Sequence, residues 1–268
     1  MSVISIEGLT RNYGGGKGIF GLSFLVGDGE VFGFLGPNGA GKTTTIRHLM
    51  GFIRPMTGKC SIGGLDCWED SARIHRDLGY IPGEISFFDD MSGSEFLDFV
   101  GRCRGLHGPG RRKELLERFE LDPKGKIKRM SKGMKQKLGI TSAFMHDPMT
   151  LILDEPTSGL DPLMQGRFIE LIAEEKAQGK TVLMSSHIFD EVERTCDRVG
   201  IIRDGRLTVV DSVEALRERH MRSYSVVLST EDEAAAFARD FGGRQDGRKV
   251  TLAAKQSLED IFMHYYEG

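Results

Sequence analysis

The chain has 268 residues, with 39% hydrophobic and 28% charged side chains, a balance that suits one or two soluble domains with a real core. A formal net charge of −3 excludes binding to polyanions through overall charge, so any basic patch must act locally. No apolar run reaches the ~20 residues that span a bilayer; the opening MSVISIEGLT lacks the layout of a secretion signal, and Cys60, Cys67, Cys103 and Cys196 show no paired or histidine-flanked spacing, which implies reduced packing thiols in a reducing compartment.

In chain order, VISIEGLT is expected as an added antiparallel edge strand. EVFGFLG (Glu30 to Gly36) reads as a buried strand, followed by a helix from about Lys42 to Met50. Further strands are expected at LGYIP, LILDE, TVLMSS and VGIIRDG, each bounded by turn residues or a helix. Strand–helix alternation on this scale predicts a largely parallel sheet covered on its faces. From about Met91 to His146 the rhythm turns helical. SGSEFLDFVGRCRG opens with Ser92 and Glu95 at capping-box spacing and places Phe96, Phe99, Val100 and Cys103 on one face. This stretch is read as a helical insertion over about residues 86–146. After about Val213, YSVVLS, EDEAAAFARDF, KVTLAA and SLEDIFMHYY predict strand, helix, strand and helix, so the chain is divided into a main domain (1–212) and a small accessory module (213–268).

Two motifs carry chemistry. GPNGAGKTT fits G-x-x-x-x-G-K-[ST] between a predicted strand and a predicted helix, with Gly36, Gly41, Lys42 and Thr43 in the fixed places and Pro37, Asn38, Gly39 and Ala40 spanning the loop. Such a loop wraps a phosphate chain with inward N–H groups; the helix start and Lys42 add positive charge, Thr43 offers a hydroxyl to Mg²⁺, and Thr44 reaches an earlier phosphate. LILDEPTSGLD puts Asp154 and Glu155 at the end of an apolar strand, one carboxylate suited to Mg²⁺ and the next to orienting or deprotonating a water for attack on a γ-phosphate. SSH ends another strand, where His187 is placed to contact that phosphate; taken alone it reads as structural. The shared expectation is Mg-nucleotide hydrolysis.

A third stretch, IKRMSKGMKQKLGI, is rich in lysine and opens a predicted helix about twenty residues before the second motif. In this order the motifs resemble the nucleotide-binding subunit of ATP-binding cassette (ABC) transporters over about residues 1 to 212, and the variations point to the bacterial ABC-2 exporter branch. The resemblance implies an α/β P-loop NTPase fold: a mixed, mostly parallel sheet with an antiparallel edge subdomain, an inserted helical subdomain and a small C-terminal α+β extension. It implies ATP and Mg²⁺ as cofactors and MSKGMKQ as the family's signature, with Ser131 and Gly133 at its serine and second glycine. The signature would close over the γ-phosphate held by a second cassette, identical or paralogous. Tyr13 matches the aromatic that stacks on adenine, and Asp161 the acidic residue of the loop after Glu155 that communicates across the dimer.

Two positions depart from the pattern. Gly83 stands where the family has a glutamine that reaches Mg²⁺, with Glu84 next as the candidate replacement; Lys132 and Met134 replace the signature's first glycine and its glutamine. The implied function is an ATPase subunit of an exporter, docked through its helical insertion on a separate transmembrane permease at the cytoplasmic face of a bacterial-type cell membrane. The alternative is a soluble ABC-type ATPase acting on nucleic acid or ribosomes, whose usual coiled coil, zinc modules or tandem cassettes are not visible, so no nucleic-acid partner is expected. A P-loop kinase has no use for the signature, and a nonhydrolytic cassette sits badly with intact Lys42, Asp154, Glu155 and His187.

Overall fold

Alternating apolar positions make the beginning of the chain extended. Ile4, Ile6 and Leu9 turn inward along β1 (Ser2–Gly14), as do Ile19, Leu22, Phe24 and Val26 along β2 (Lys17–Gly27). The odd spacing from Ile6 to Leu9 is absorbed by a register shift that keeps both on the inner face. In this computed structural model, which describes residues 2–88, 90–106, 108, 110–220, 222–254 and 257–267, the chain forms two compact units, Met1–Val210 and Asp211–Gly268.

In the first unit, β3 (Val31–Leu35) is buried throughout and leads through a glycine-rich loop into α1 (Lys42–Leu49). Strands β4 (Thr57–Ile62) and β5 (Leu65–Asp66) complete an antiparallel sheet of order β2-β1-β4-β5. VISIEGLT is thus antiparallel as expected, but it belongs to a sheet of its own rather than to the edge of the main one. After α2 (Ser71–Asp77) and β6 (Leu78–Ile81) come α3 (Gly93–Cys103), α4 (Gly110–Arg118), a 3₁₀ turn at Ile127–Arg129 and α5 (Lys132–Phe144). The chain then alternates: β7 (Thr150–Asp154), α6 (Pro162–Ala177), β8 (Thr181–Ser186), α7 (Phe189–Thr195), β9 (Arg198–Arg203) and β10 (Arg206–Ser212).

The main sheet has the order β10-β9-β3-β8-β7-β6, with β3, β6, β7, β8 and β9 paired in parallel. Its central strands are continuous apolar runs because helices cover both faces: Phe32, Phe34, Leu151, Ile152, Leu153, Val182 and Leu183 are all fully buried. Each such side chain contributes about 1.5–3 kcal/mol of transfer free energy. Phe24 stacks on Phe32 with ring centroids 5.1 Å apart, which ties the antiparallel sheet to the parallel one. Register places Leu35 opposite Ser186 and Asp154 opposite Ser185, so the C-terminal ends of β3, β7 and β8 lie side by side. In open parallel sheets this is the edge where ligands bind.

The α3 capping box forms as predicted: Ser92 Oγ accepts from Glu95 N, and the Glu95 carboxylate accepts from Ser92 N. Its buried face differs from the expected one. Leu97 is fully buried, whereas Phe99 and Cys103 are exposed. Phe96 and Phe99 pack edge-on against Phe87 and Phe88 of the preceding loop, so that loop takes the place of a helix neighbour. On α5 Leu138 is buried, as is Met145 at its C-cap, whereas Met134 in the first turn stays at the surface.

The second unit contains α8 (Val213–Arg219), β11 (Arg222–Val227), α9 (Glu231–Phe241), β12 (Arg244–Asp246), β13 (Lys249–Ala254) and α10 (Leu258–Glu267). Its antiparallel sheet has the order β11-β13-β12. All four expected elements are present, with α8 and the three-residue β12 in addition. Leu216, Ala234, Val250, Leu258 and Ile261 form its buried side.

Candidate functional site

The loop between β3 and α1 is built for close approach. Gly41 sits at φ 115°, a left-handed conformation that side-chain-bearing residues avoid, and a Cβ there would come within 2.7 Å of Ile19 Cγ2. This lets α1 begin with its free N–H groups facing the loop. Lys42, the first helical residue, is only 5% exposed, and its ammonium donates to the carbonyls of Gly36 and Pro37. Nζ also lies 3.2 Å from Glu155 Oε1, as an ion-pair contact rather than an aligned hydrogen bond.

At the neighbouring strand end, Asp154 is fully buried. Its Oδ1 accepts from Ser185 Oγ, whereas Oδ2 has no partner. A buried carboxylate oxygen without a donor is costly. The chain passes close to the Asp154 carboxylate at Gly83: a Cβ there would stand 2.9 Å from Oδ2, so a side chain would require one of the two to shift. Glu84, one residue on, is exposed at the cleft.

Glu155 takes a left-handed backbone conformation, φ 50°, fixed by two bonds from its N–H to the carbonyl and hydroxyl of Ser185. The strained turn swings its side chain back toward α1, where Oε1 meets Lys42 and Oε2 pairs with His187 Nδ1. The His187 side chain is otherwise 58% exposed.

Lys42, Glu84 and Glu155 border one open cleft of about 610 Å³, while Asp154 and His187 lie outside its lining, in contact with Ser185 and Glu155 respectively. Tyr13, Pro37, Asn38, Gly39, Gly41, Lys42, Thr43, Thr44, Glu84 and Glu155 line it, together with Lys17, Arg47 and Tyr80, which the sequence reading did not single out. Burial, reinforced by the Asp154 charge, pushes the Tyr80 phenol up to about 12, so it stays a neutral hydrogen-bonding group. Tyr13 is half exposed at the cleft, with the Arg11 guanidinium 5.4 Å from its ring centroid. Gly36 and Ala40 support the loop without lining the cleft; Ala40 is buried and its carbonyl accepts from Gly205 N.

Ser131, Gly133 and Asp161 are not part of this cleft. Ser131 caps α5 by accepting from Met134 N, and Asp161 caps α6 by accepting from Met164 N. Gly133 is a close-approach position, since a Cβ there would meet the Gly159 carbonyl at 2.8 Å. Lys132, at the position where the family has glycine, lies along Gly159 and donates to Ser158 Oγ at 2.9 Å. The buried Gln136 amide donates to the Pro156 carbonyl at 2.6 Å. The first turns of α5 are therefore pinned at three points to the loop that follows Glu155. Gln136 had no motif role in the sequence reading; a polar residue at a helical position facing inward was the only signal.

The donor set fits a divalent ion with few protein ligands. Among the described residues no group of three or more acids, histidines or cysteines could hold a metal, and Mg²⁺ is the ion that binds through one or two carboxylates plus phosphate oxygens. Asp154 Oδ2, buried and unpartnered, suits that task.

Comparison with known proteins places this geometry in context. The family model described as ABC transporter matches residues 19–158. A "Bacitracin transport ATP-binding protein BcrA" from Bacillus licheniformis is 36% identical over 92% of this chain and 83% of its own length. A "Linearmycin resistance ATP-binding protein LnrL" from Bacillus subtilis (strain 168) is 36% identical over 81% of this chain and 71% of its own length. Among solved structures, an ATP-binding subunit of an ABC transporter superposes with a TM-score of 0.78 at 28% identity, covering 99% of this chain and 100% of that one.

Proposed function

The chain belongs to the ABC transporter ATP-binding family, and from that premise we propose that it binds and hydrolyses ATP to power export through a separate membrane permease. The observation that carries this reading is the convergence at one sheet edge of a buried cation, a buried unpartnered carboxylate and a carboxylate–imidazole pair. Lys42 and the N–H groups of the loop from Gly36 to Thr44 hold the triphosphate, and Tyr13 offers its exposed ring to adenine. Thr43 and Asp154 would hold Mg²⁺, with Glu84 in the role of the missing glutamine; the ion would supply charge neutralisation to the phosphates. Glu155 accepts the proton of the attacking water, and His187, bonded to its other oxygen, holds that carboxylate in place and contacts the γ-phosphate. An incoming phosphate competes with Glu155 for the Lys42 ammonium, which frees the carboxylate as the substrate binds.

Ser131 and Gly133 sit at a helix start outside the cleft that holds Lys42 and Glu155, so we assign them to the nucleotide of a second cassette, identical or paralogous, with Asp161 in the loop that crosses between the two. Names of two relatives support the transport role: one is called a bacitracin transport protein and the other a linearmycin resistance protein. Among the described residues no helix is long and apolar enough to cross a membrane, which agrees with attachment to a permease at the cytoplasmic face. Exposed Phe88 and Phe99, beside the loop after Pro82, offer the apolar contact for that docking. Purified protein should hydrolyse ATP when Mg²⁺ is added and should lose that activity as Glu155→Gln. Turnover in Glu155→Gln equal to the parent's would overturn the assignment.

A further inference from the structure

A single buried acid, Glu191, touches both halves of the catalytic pair's support. It lies on α7, is 2% exposed, and is reached from two directions. Ser186, the residue before His187, donates from Oγ to Glu191 Oε2 at 2.6 Å. Thr157, two residues after Glu155, donates from Oγ1 to the same oxygen at 3.3 Å. Because Glu155 and His187 also contact one another, the chain closes a ring: Glu155, Pro156 and Thr157 on one side, Ser186 and His187 on the other, Glu191 at the far end. Ser186 Oγ is further fixed by accepting from Ile188 N, and within α7 Thr195 Oγ1 donates to the Glu191 carbonyl.

We propose that Glu191 is a positioning residue for ATP hydrolysis, holding the loop after Glu155 and the turn at His187 at a fixed separation so that base and imidazole stay in contact. The proposal rests on the reading of Glu155 and His187 as the catalytic pair. Among the described residues no hydrogen bond joins Thr157 to Ser186 directly; beyond the pairing of Asp154 and Glu155 with Ser185, their shared acceptor is the further link between the two segments. A purely packing residue at this place needs no carboxylate, and burying one costs free energy unless its bonds serve a purpose. Burial pushes the Glu191 carboxyl up to about 7, with the nearby Glu155 charge acting in the same direction. The acid therefore retains part of its proton near neutrality, which lessens its repulsion of the catalytic carboxylate. Glutamine has the same shape and one acceptor oxygen, and so mimics that neutral form.

The test is steady-state Mg-ATPase kinetics on Glu191→Gln, Glu191→Leu and the double variant Ser186→Ala/Thr157→Val, with thermal melting to confirm folding. Glu191→Leu should lower kcat about tenfold or more while KM for ATP stays within about twofold, because a displaced base costs turnover rather than binding. Glu191→Gln should restore most of the rate, and the double variant should match Glu191→Leu. A folded Glu191→Leu with parental kcat, or a Glu191→Gln as slow as Glu191→Leu, overturns the proposal. If Glu191→Leu does not fold, parental kcat in the folded double variant overturns it equally. Glu155→Gln run alongside separates the two readings: if it is inactive while the Glu191 variants are normal, only the positioning role fails; if it is active, the catalytic pair itself is wrong.

Discussion

The Lys42 ammonium lies 3.2 Å from Oε1 of Glu155, so the cation of the phosphate loop and the candidate base are one electrostatic unit, although one opens α1 and the other follows the end of β7. Lys42→Ala removes the ammonium that donates to the loop carbonyls of Gly36 and Pro37. Nucleotide titration should show binding weakened at least about tenfold, the scale of one lost charge-assisted hydrogen bond. Unchanged affinity would remove Lys42 from the phosphate site.

At Gly83 an added Cβ would press on Asp154 Oδ2 at 2.9 Å and displace the carboxylate or the loop. Gly83→Gln should therefore lower Mg-ATPase activity rather than improve it, and Glu84→Ala should lower both turnover and its coupling to transport. Full turnover and full coupling in Glu84→Ala would leave the missing role unfilled by this residue.

The legibility of these elements in the sequence follows from how local their signals are. The β3–loop–α1 unit was readable because phosphate binding fixes glycine, lysine and threonine at set intervals in one continuous stretch. The strand ends at Asp154 and Ser186 were readable because buried parallel strands are unbroken apolar runs. Strand β2 was not named, although Ile19, Leu22, Phe24 and Val26 supply the alternation, because its glycines break the pattern at Gly18 and Gly21. The buried face of α3 was misjudged because Phe96 and Phe99 find partners in a loop, which helical periodicity does not encode. Glu191 and Gln136 were invisible for a related reason: their partners, Thr157, Ser186 and the Pro156 carbonyl, are brought to them only by the sheet.

The close contact between α5 and the loop after Glu155 predicts a specific defect for Gly133→Ala. The added methyl would press on the Gly159 carbonyl, which lies 2.8 Å from the Cβ position, and would tilt the helix start off that loop. ATPase activity should fall while nucleotide binding to the isolated subunit remains. Lys132→Ala, which removes only the contact to Ser158 Oγ, should be milder. Activity measured alongside binding for both variants checks the order.

Glu191 also predicts a pH dependence of stability. Its carboxyl is raised from 4.5 to about 7 in the folded protein, so the folded state holds a proton that the unfolded chain releases near 4.5. The stability it contributes is present below about pH 4.5 and is lost as pH rises through about 7, by about 3 kcal/mol for a shift of this size in a group so deeply buried. Glu191→Gln has no proton to lose. Chemical denaturation of both proteins across this range should show the variant gaining stability relative to the parent as pH rises; a constant difference would contradict the shift.

The central claim is that ATP is enclosed between two cassettes and cleaved with Glu155 as base. The most direct measurement is sedimentation velocity of Glu155→Gln with and without Mg-ATP, paired with its turnover rate. The account predicts hydrolysis slowed about 10²-fold or more and an ATP-dependent dimer that Ser131→Arg abolishes. A Glu155→Gln protein that remains monomeric with Mg-ATP while hydrolysing it at the parental rate would contradict the account.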